Sequence, residues 1–220
     1  MGRIERLVLT DDRNRSIGWG EKLHVHEAGL LHRAFSIFLV DRQGSIALQK
    51  RHPAKYHSGG LWANTCCGHP RPGEATMRAA RRRLFEEVGL AADLTLAFRS
   101  RYAVAFENGL SENEIVNVYV GSLTATPRPH PDEVVAIEML TIDELARAVA
   151  RRPDAYAFWL RHYLRHHRPA LKQALRRVVA RAGGAAADRR TQHRTVAEGK
   201  PAQAIRSSPA GAPGARMTGV

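Results

Sequence analysis

Between Asn64 and Leu90 the sequence sets a thiol, an imidazole and several carboxylates at close intervals. Cys67 and His69 stand either side of Gly68 and before Pro70. From Gly68 the spacing runs five residues to Glu74, seven more to Arg82, and then Leu84, Glu86, Glu87, Gly89 and Leu90. A thiol or imidazole can move a proton, and imidazole and carboxylate together suit a borderline divalent metal. The spacing predicts a helix over 74–88, with Ala75, Ala79, Leu84 and Val88 as its buried stripe and Gly89 as its C-terminal cap. Glu74 and positions 83, 86 and 87 would lie on that helix, the last three sharing a face by their i, i+3 and i+4 relation. Arg83 interrupts the carboxylates there. Arginine cannot bind a metal but matches a phosphate oxygen well. A plain solvated helix with Glu/Arg pairs would read similarly, so residues elsewhere must weigh in.

Three histidines stand out. His26 and His32 flank a loop before a strong strand, and His69 follows the thiol. Glu112 and Glu114 sit at i and i+2, on one face of an extended segment. A lone histidine is more often a surface or satisfied core residue, and with eleven in the chain any one is weak evidence. His24, His52, His57, His166 and His167 read as nonligands. Lys22, Arg51, Lys55 and Arg83 form a basic set. Solvated surface charge is the usual fate of such residues; the functional reading is a polyanion clamp around magnesium. The two cysteines, Cys66 and Cys67, are adjacent. Neighbours rarely bridge without strain, and CxxC spacing is absent, so neither a zinc knuckle nor a thioredoxin-like site is supported. Two buried structural thiols, or one reactive and one structural, both fit.

The elements that must hold these residues are legible in outline. Residues 4–10 read as a strand and 11–15 as a polar turn. Residues 32–40 and 45–50 form a hairpin around Asp41-Arg42-Gln43-Gly44. Residues 61–67, 94–106, 113–123 and 134–140 are further strands. Thr141-Ile142-Asp143-Glu144 opens a helix with a capping box. Residues 154–167 read as helical, Pro169 as an interruption, and 171–182 as one more amphipathic helix. The order is that of an α+β fold, a mixed sheet between helices. The expected organisation is a domain over 1–168, a C-terminal helix within 169–182 and a disordered basic tail over 183–220. No aromatic residue follows Tyr163, so the tail cannot bury enough apolar area to offset its ordering entropy.

Composition narrows the classes. Two hundred and twenty residues suit one domain with appendages. No apolar run approaches a bilayer span, and the first ten residues hold charges and no signal-type apolar core. A cytoplasmic location and no membrane partner are the expectation. The net charge of +13 invites a nucleic-acid reading. However, residues 169–220 hold ten Lys and Arg against two Asp and Glu, without the aromatics that would stack on bases. A nucleic-acid partner is therefore not expected.

The stretch from Gly68 to Leu90 resembles the Nudix pattern, except that Arg83 stands where that pattern has a glutamate. More specifically, the chain resembles the type I isopentenyl-diphosphate isomerases of the Nudix superfamily over roughly residues 3–165. The resemblance is carried by Glu21-Lys22 with His26 and His32, Arg51 with Lys55, the run Gly60 to Pro70, Glu87, Ser100-Arg101-Tyr102, and Glu112-Asn113-Glu114. It implies a Nudix-like sheet between helices and an enzyme of isoprenoid biosynthesis that interconverts isopentenyl and dimethylallyl diphosphates through a carbocation. It further implies that His26, His32, His69, Glu112 and Glu114 hold one divalent metal (manganese, zinc or magnesium). Glu87 and the Cys67 carbonyl would hold a magnesium ion on the substrate. Lys22, Arg51, Lys55 and Arg83 would contact the diphosphate. Cys67 and Glu114 would be the catalytic pair, with Tyr102 bonded to the glutamate. Trp159, with Trp62 as a second candidate, would offer an aromatic face to the cation. The His26–His32 interval is one residue shorter than in the best-known bacterial members, which leaves His24 as a rival first ligand. The tryptophan spacing near Trp159 also departs from theirs. The partner is a small diphosphate, and the chain a monomer or homodimer.

Overall fold

The computed structural model describes the backbone of residues 5–197 and side chains through residue 184. Nine strands form one mixed sheet. In chain order the elements are β1 (Arg6–Thr10), β2 (Ser16–Glu21), α1 (Lys22–Glu27), β3 (His32–Val40), β4 (Ser45–Arg51), β5 (Trp62–Ala63), β6 (Cys66–Gly68) and α2 (Thr76–Val88). They continue as β7 (Leu94–Ala105), β8 (Ser111–Ser122), β9 (Val134–Thr141), α3 (Ile142–Arg151), α4 (Phe158–His166) and α5 (Arg168–Ala197). A short 3-10 turn, Pro153–Ala155, links α3 to α4.

β3 is the organising strand. It runs parallel to β8 from His32↔Glu114 to Val40↔Ser122, and antiparallel to β6 through Phe35↔Gly68, Ser36↔Cys67 and Ile37↔Cys66. Successive side chains on a strand point to opposite faces, so β3 divides the core in two. Ala34, Phe38 and Val40 join Val116, Val118, Leu160, Tyr163, Leu171 and Leu175 on the face covered by α3, α4 and α5. Phe35, Ile37 and Leu39 join Cys66, Ala79, Ala80, Leu84 and Val88 on the face covered by α2. The mixed sheet between helices is as the sequence indicates. Alternation also separates the two thiols: Cys66 is buried against α2, and Cys67 turns to the other face.

Several boundaries differ from expectation for local reasons. β2 and α1 are absent from the sequence reading. β2 is almost wholly exposed and is held by pairing with β1, Leu7↔Gly20 among the partners. α1 has only six residues, too few to signal by periodicity. Residues 61–67 are two strands, because β5 pairs with β4 and β6 with β3. Asn64 and Thr65 between them are buried, and the Thr65 hydroxyl donates to the Ala47 carbonyl. α2 begins at Thr76 with Ala75 as its exposed N-cap, so Ala75 is outside the buried stripe and Glu74 outside the helix. Glu74 accepts instead from the Arg71 backbone N–H at 3.0 Å and from Arg82 at 2.8 Å. Gly89 caps α2 at φ 68°, and a Cβ there would lie 2.7 Å from the Arg128 carbonyl oxygen. The Thr141–Glu144 capping box is present.

The helix expected over 154–167 is the 3-10 turn followed by α4. The helix expected at 171–182 is α5, which already starts at Arg168. Pro169 falls in its first turn, where proline's missing N–H removes no helical bond. Leu171 and Leu175 pack into the main core, so α5 is anchored by its beginning. The expected disorder of 183–220 falls, for residues 198–220, outside the described residues.

Candidate active site

One cavity of about 840 Å³ brings the expected chemistry together. Cys67, His69, Glu87, Tyr102, Glu112, Glu114 and Trp159 line it, along with Lys22, Arg51, Lys55 and Arg83. They come from both flanks of β3. Cys67 and His69 belong to β6 and the residue after it, and Glu112 and Glu114 to β8. β3 contributes His32 and Ser36 between them. Gly68 permits the approach of α2. A Cβ there would sit 3.5 Å from the Arg83 side chain and 3.1 Å from the Phe35 ring.

Behind the cavity wall is a cluster of nitrogen and oxygen donors. His26, His32, His69 and Glu112 each place one donor atom within 4.8 Å of all the others. His26 and His32 are fully buried. His26 Nδ1 lies 2.6 Å from the Lys22 carbonyl oxygen and His32 Nδ1 2.8 Å from that of Leu30. A carbonyl can only accept, so both Nδ1 atoms carry hydrogen. Both Nε2 atoms then face Glu112 Oε2, each at 3.3 Å. His32 Nε2 and Glu112 Oε2 are buried without a hydrogen-bond partner. Buried polar atoms left unpaired are costly, and unpaired donor atoms converging on one point fit a metal ion. This donor set, imidazole with carboxylate, suits a borderline divalent cation.

Of the two rival histidines, His24 is exposed, whereas His26 is buried and belongs to the donor cluster. Glu114 is at the margin of the cluster. Its Oε1 lies 2.8 Å from His69 Nε2 and 3.5 Å from His32 Nε2, and its Oε2 accepts from the Tyr102 hydroxyl. Tyr102 and Glu114 are register partners on β7 and β8. Burial works against charge on Glu114, as does Glu112, but the imidazoles of His32 and His69 beside it hold its carboxyl below the usual range. Burial also works against a charge on His32, yet Glu112 and Glu114 raise it to about 10. Burial keeps His69 below the ordinary imidazole range.

Across the cavity, Cys67 sits in a separate hydrogen-bonded cradle. Its Sγ lies 3.1 Å from Asn64 Oδ1 and 3.6 Å from the Ser36 hydroxyl. The Asn64 amide nitrogen donates to the carbonyls of Ile37 and Cys66, at 3.0 and 2.9 Å. Only the Asn64 oxygen is therefore left to face the sulfur. The Trp159 indole N–H donates to that same oxygen at 3.0 Å. Burial pushes the Cys67 thiol up to about 12, against the lowering influence of Ser36 and Arg51.

Three of the four cations expected at the diphosphate are paired with carboxylates. Lys22 bonds Glu5 at 2.8 Å. Lys55 bonds Glu133, and Arg83 bonds Glu87 and Glu133. Arg51 lies over the Trp159 ring at 5.2 Å and donates to the His57 carbonyl. Glu5 and Glu133 were not foreseen from sequence, because each meets its lysine only through the fold. In total seven cationic and six carboxylate side chains line the cavity.

A NUDIX domain model matches residues 30–162. The isopentenyl-diphosphate Delta-isomerase of Burkholderia multivorans is 48% identical over 155 residues, spanning 70% of this chain and 88% of that protein. The protein of the same name from Streptomyces griseus subsp. griseus is 45% identical over 170 residues, spanning 76% and 85%. The chain belongs to the isopentenyl-diphosphate Delta-isomerase family. Its fold also resembles a crystal structure from Deinococcus radiodurans at a TM-score of 0.62 and 21% identity, covering 73% of this chain and 98% of that one.

For a member of this isomerase family, one finding narrows the sequence reading and a second adds a contact to a residue that stays outside the donor set. Trp62 lies outside the cavity, in a groove with Leu140, Ala148 and Tyr156, which leaves Trp159 as the tryptophan that lines it. His57, read as a nonligand, is buried, and its Nε2 lies 2.7 Å from Glu112 Oε1. No local pattern marks it, since its contact with Glu112 spans 55 positions of sequence.

Proposed function

We propose that this protein interconverts isopentenyl diphosphate and dimethylallyl diphosphate, with Cys67 and Glu114 exchanging protons with the substrate from opposite flanks of β3. The observation that carries the reading is the pairing in one cavity of two groups able to exchange a proton: a thiol cradled by Asn64 and Ser36, and a carboxylate bonded to Tyr102 and His69.

The diphosphate would lie against Lys22, Arg51, Lys55 and Arg83. Charge inventory supports a bound cation there. Seven positive against six negative side chains leave little excess to hold a polyanion. Arg83 and Lys55 must exchange part of their carboxylate pairing for phosphate oxygens. When bound, a divalent metal on His26, His32, His69, Glu112 and Glu114, and magnesium with Glu87 and the Cys67 carbonyl, would orient Glu114 and neutralise the diphosphate. Arg83, which occupies a position that the Nudix pattern gives to glutamate, supports a role in holding the diphosphate intact.

In the direction of dimethylallyl diphosphate, the Glu114 carboxyl, hydrogen-bonded to Tyr102, gives a proton to the terminal methylene carbon of the substrate. The alkene electron pair forms the new C–H bond and leaves a tertiary cation. Cys67, as thiolate, takes a proton from the carbon next to the diphosphate-bearing one, and the released pair forms the new double bond. Trp159 presents an aromatic surface to the cation and helps exclude water, which would otherwise capture it as an alcohol. In the protein alone the thiol is raised and the Glu114 carboxyl lowered. That distribution, thiol protonated and carboxylate ionised, is the one that receives dimethylallyl diphosphate. The forward reaction needs the proton moved to Glu114. Arg51 lowers the thiol and Glu87 raises it, so neutralising Glu87 on substrate binding favours the thiolate.

The two free cysteines fit a reducing, cytoplasmic compartment. Among the described residues no helix is long and apolar enough to cross a membrane. The test is incubation with isopentenyl diphosphate in deuterated water. Dimethylallyl diphosphate carrying deuterium, with no phosphate released, is expected. Phosphate release without isomerisation would show a hydrolase instead.

A further inference from the structure

His57 touches the donor cluster from outside it. It sits on the loop between β4 and β5, is 6% exposed, and places Nε2 2.7 Å from Glu112 Oε1. Glu112 directs its other oxygen, Oε2, at His26 and His32. The two carboxylate oxygens thus have separate tasks, and His57 holds the one that does not face the histidine pair. The second nitrogen, Nδ1, lies 3.3 Å from the Ser58 hydroxyl. Ser58 can donate there, which leaves the His57 hydrogen on Nε2, pointing at the carboxylate.

The ring is fixed on several sides. It stacks on Phe106 at 4.7 Å with 9° between planes, and meets Trp159 edge-on at 5.9 Å. Ser58 adopts φ 51°, a left-handed conformation that a non-glycine residue holds only when its surroundings impose it. The His57 carbonyl accepts from Arg51 at the end of β4, so Arg51 and the loop that bears Lys55 are tied to Glu112 through one imidazole.

We propose that His57 is a positioning residue for the metal site: by donating Nε2–H to Glu112 Oε1 it fixes the carboxylate so that Oε2 meets a divalent cation with His26, His32 and His69. This rests on the reading of that cluster as a metal site. Hydrogen bonds to ligating carboxylates from outside the ligand set orient them, and losing one typically weakens metal binding by roughly 10- to 100-fold.

Two substitutions separate the hydrogen bond from the packing. His57→Phe keeps a ring to stack on Phe106 but has no donor. His57→Gln loses the ring but can place an amide N–H near the position of Nε2. The full chain is stripped with chelator and titrated with Mn²⁺, free ion being followed by electron paramagnetic resonance, and thermal melts of the metal-free proteins report folding. We expect His57→Phe to bind Mn²⁺ at least about tenfold more weakly than the unsubstituted protein, and His57→Gln to stay within about threefold. Turnover of His57→Phe should recover at saturating Mn²⁺. Unchanged affinity in His57→Phe, or equal losses in both variants, would overturn the assignment. If the unsubstituted protein bound no Mn²⁺, the metal-site reading itself would fall, and this inference with it.

Discussion

The Cys67 thiol should be a slow nucleophile in the protein without substrate. Burial raises it from 9.0 to about 12. Three units remove roughly a thousandfold of its thiolate at pH 7.5 relative to an ordinary thiol. A more basic thiolate is also intrinsically more nucleophilic, by roughly 15- to 30-fold over three units at a Brønsted slope of 0.4–0.5. The two effects leave Cys67 roughly 30- to 60-fold slower than a small thiol of pKa near 9. Alkylation with iodoacetamide, resolved by tandem mass spectrometry of the peptide holding both cysteines, measures this directly. The rate should climb about tenfold per pH unit from 7.5 to 10 without levelling. Ser36→Ala should make it slower still, because the Ser36 hydrogen bond favours the thiolate. A rate at pH 7.5 equal to that of glutathione, or a plateau below pH 9, would refute the burial argument and show a thiolate held in the resting site.

Other expectations follow from the same geometry. Cys67→Ala and Glu114→Gln should each nearly abolish isomerisation. Cys66→Ala should keep it while costing about 1 kcal/mol of stability in a urea melt, because Cys66 is fully buried in the core cluster beneath α2. Removing residues 185–220 should leave turnover within about twofold, whereas ending the chain at His167 should lower the melting temperature sharply. Leu171 and Leu175 are core residues, and truncating each buried leucine alone typically costs about 2–5 kcal/mol. Lys172 and Arg168 hold the Asp143 carboxyl down at about 2. A depressed folded-state value gives stability that is present above the unfolded pKa, near 4, and lost as pH falls toward 2. Asp143→Asn should therefore lower the melting temperature at pH 7, and the gap should close as the pH is lowered to 2.

What could be read without coordinates was whatever alternates or repeats. The β3–β4 hairpin shows in aromatic and β-branched residues around Asp41-Arg42-Gln43-Gly44. α2 shows in the spacing of Ala79, Leu84 and Val88, and the capping box in Thr141 and Glu144. Apart from Trp62, the residues named for the site from the family resemblance converge on one cavity or on the donor cluster behind its wall. β2 escaped because its pairing with β1, not its own apolar pattern, holds it extended. The break at Asn64-Thr65 escaped because a change of strand partner leaves no trace in periodicity. Glu5, Glu133 and His57 escaped for a different reason. Each acts through contacts with residues distant in sequence, and a lone charged or imidazole side chain looks the same whether solvated or buried against a partner.

Asn64 gives the site an internal gauge. Both of its amide hydrogens are committed to the Ile37 and Cys66 carbonyls, and its oxygen already receives the Trp159 indole. The 3.1 Å approach of the Cys67 sulfur is favourable only while hydrogen lies between the two atoms. Once that hydrogen leaves, two electron-rich atoms face each other. The amide cannot flip without giving up both of its carbonyl contacts, so the sulfur must swing toward the Ser36 hydroxyl, which can rotate to donate. The location of one proton is thereby written into heavy-atom positions. A pair of crystal structures, one with and one without a bound diphosphate, could follow it without resolving a single hydrogen.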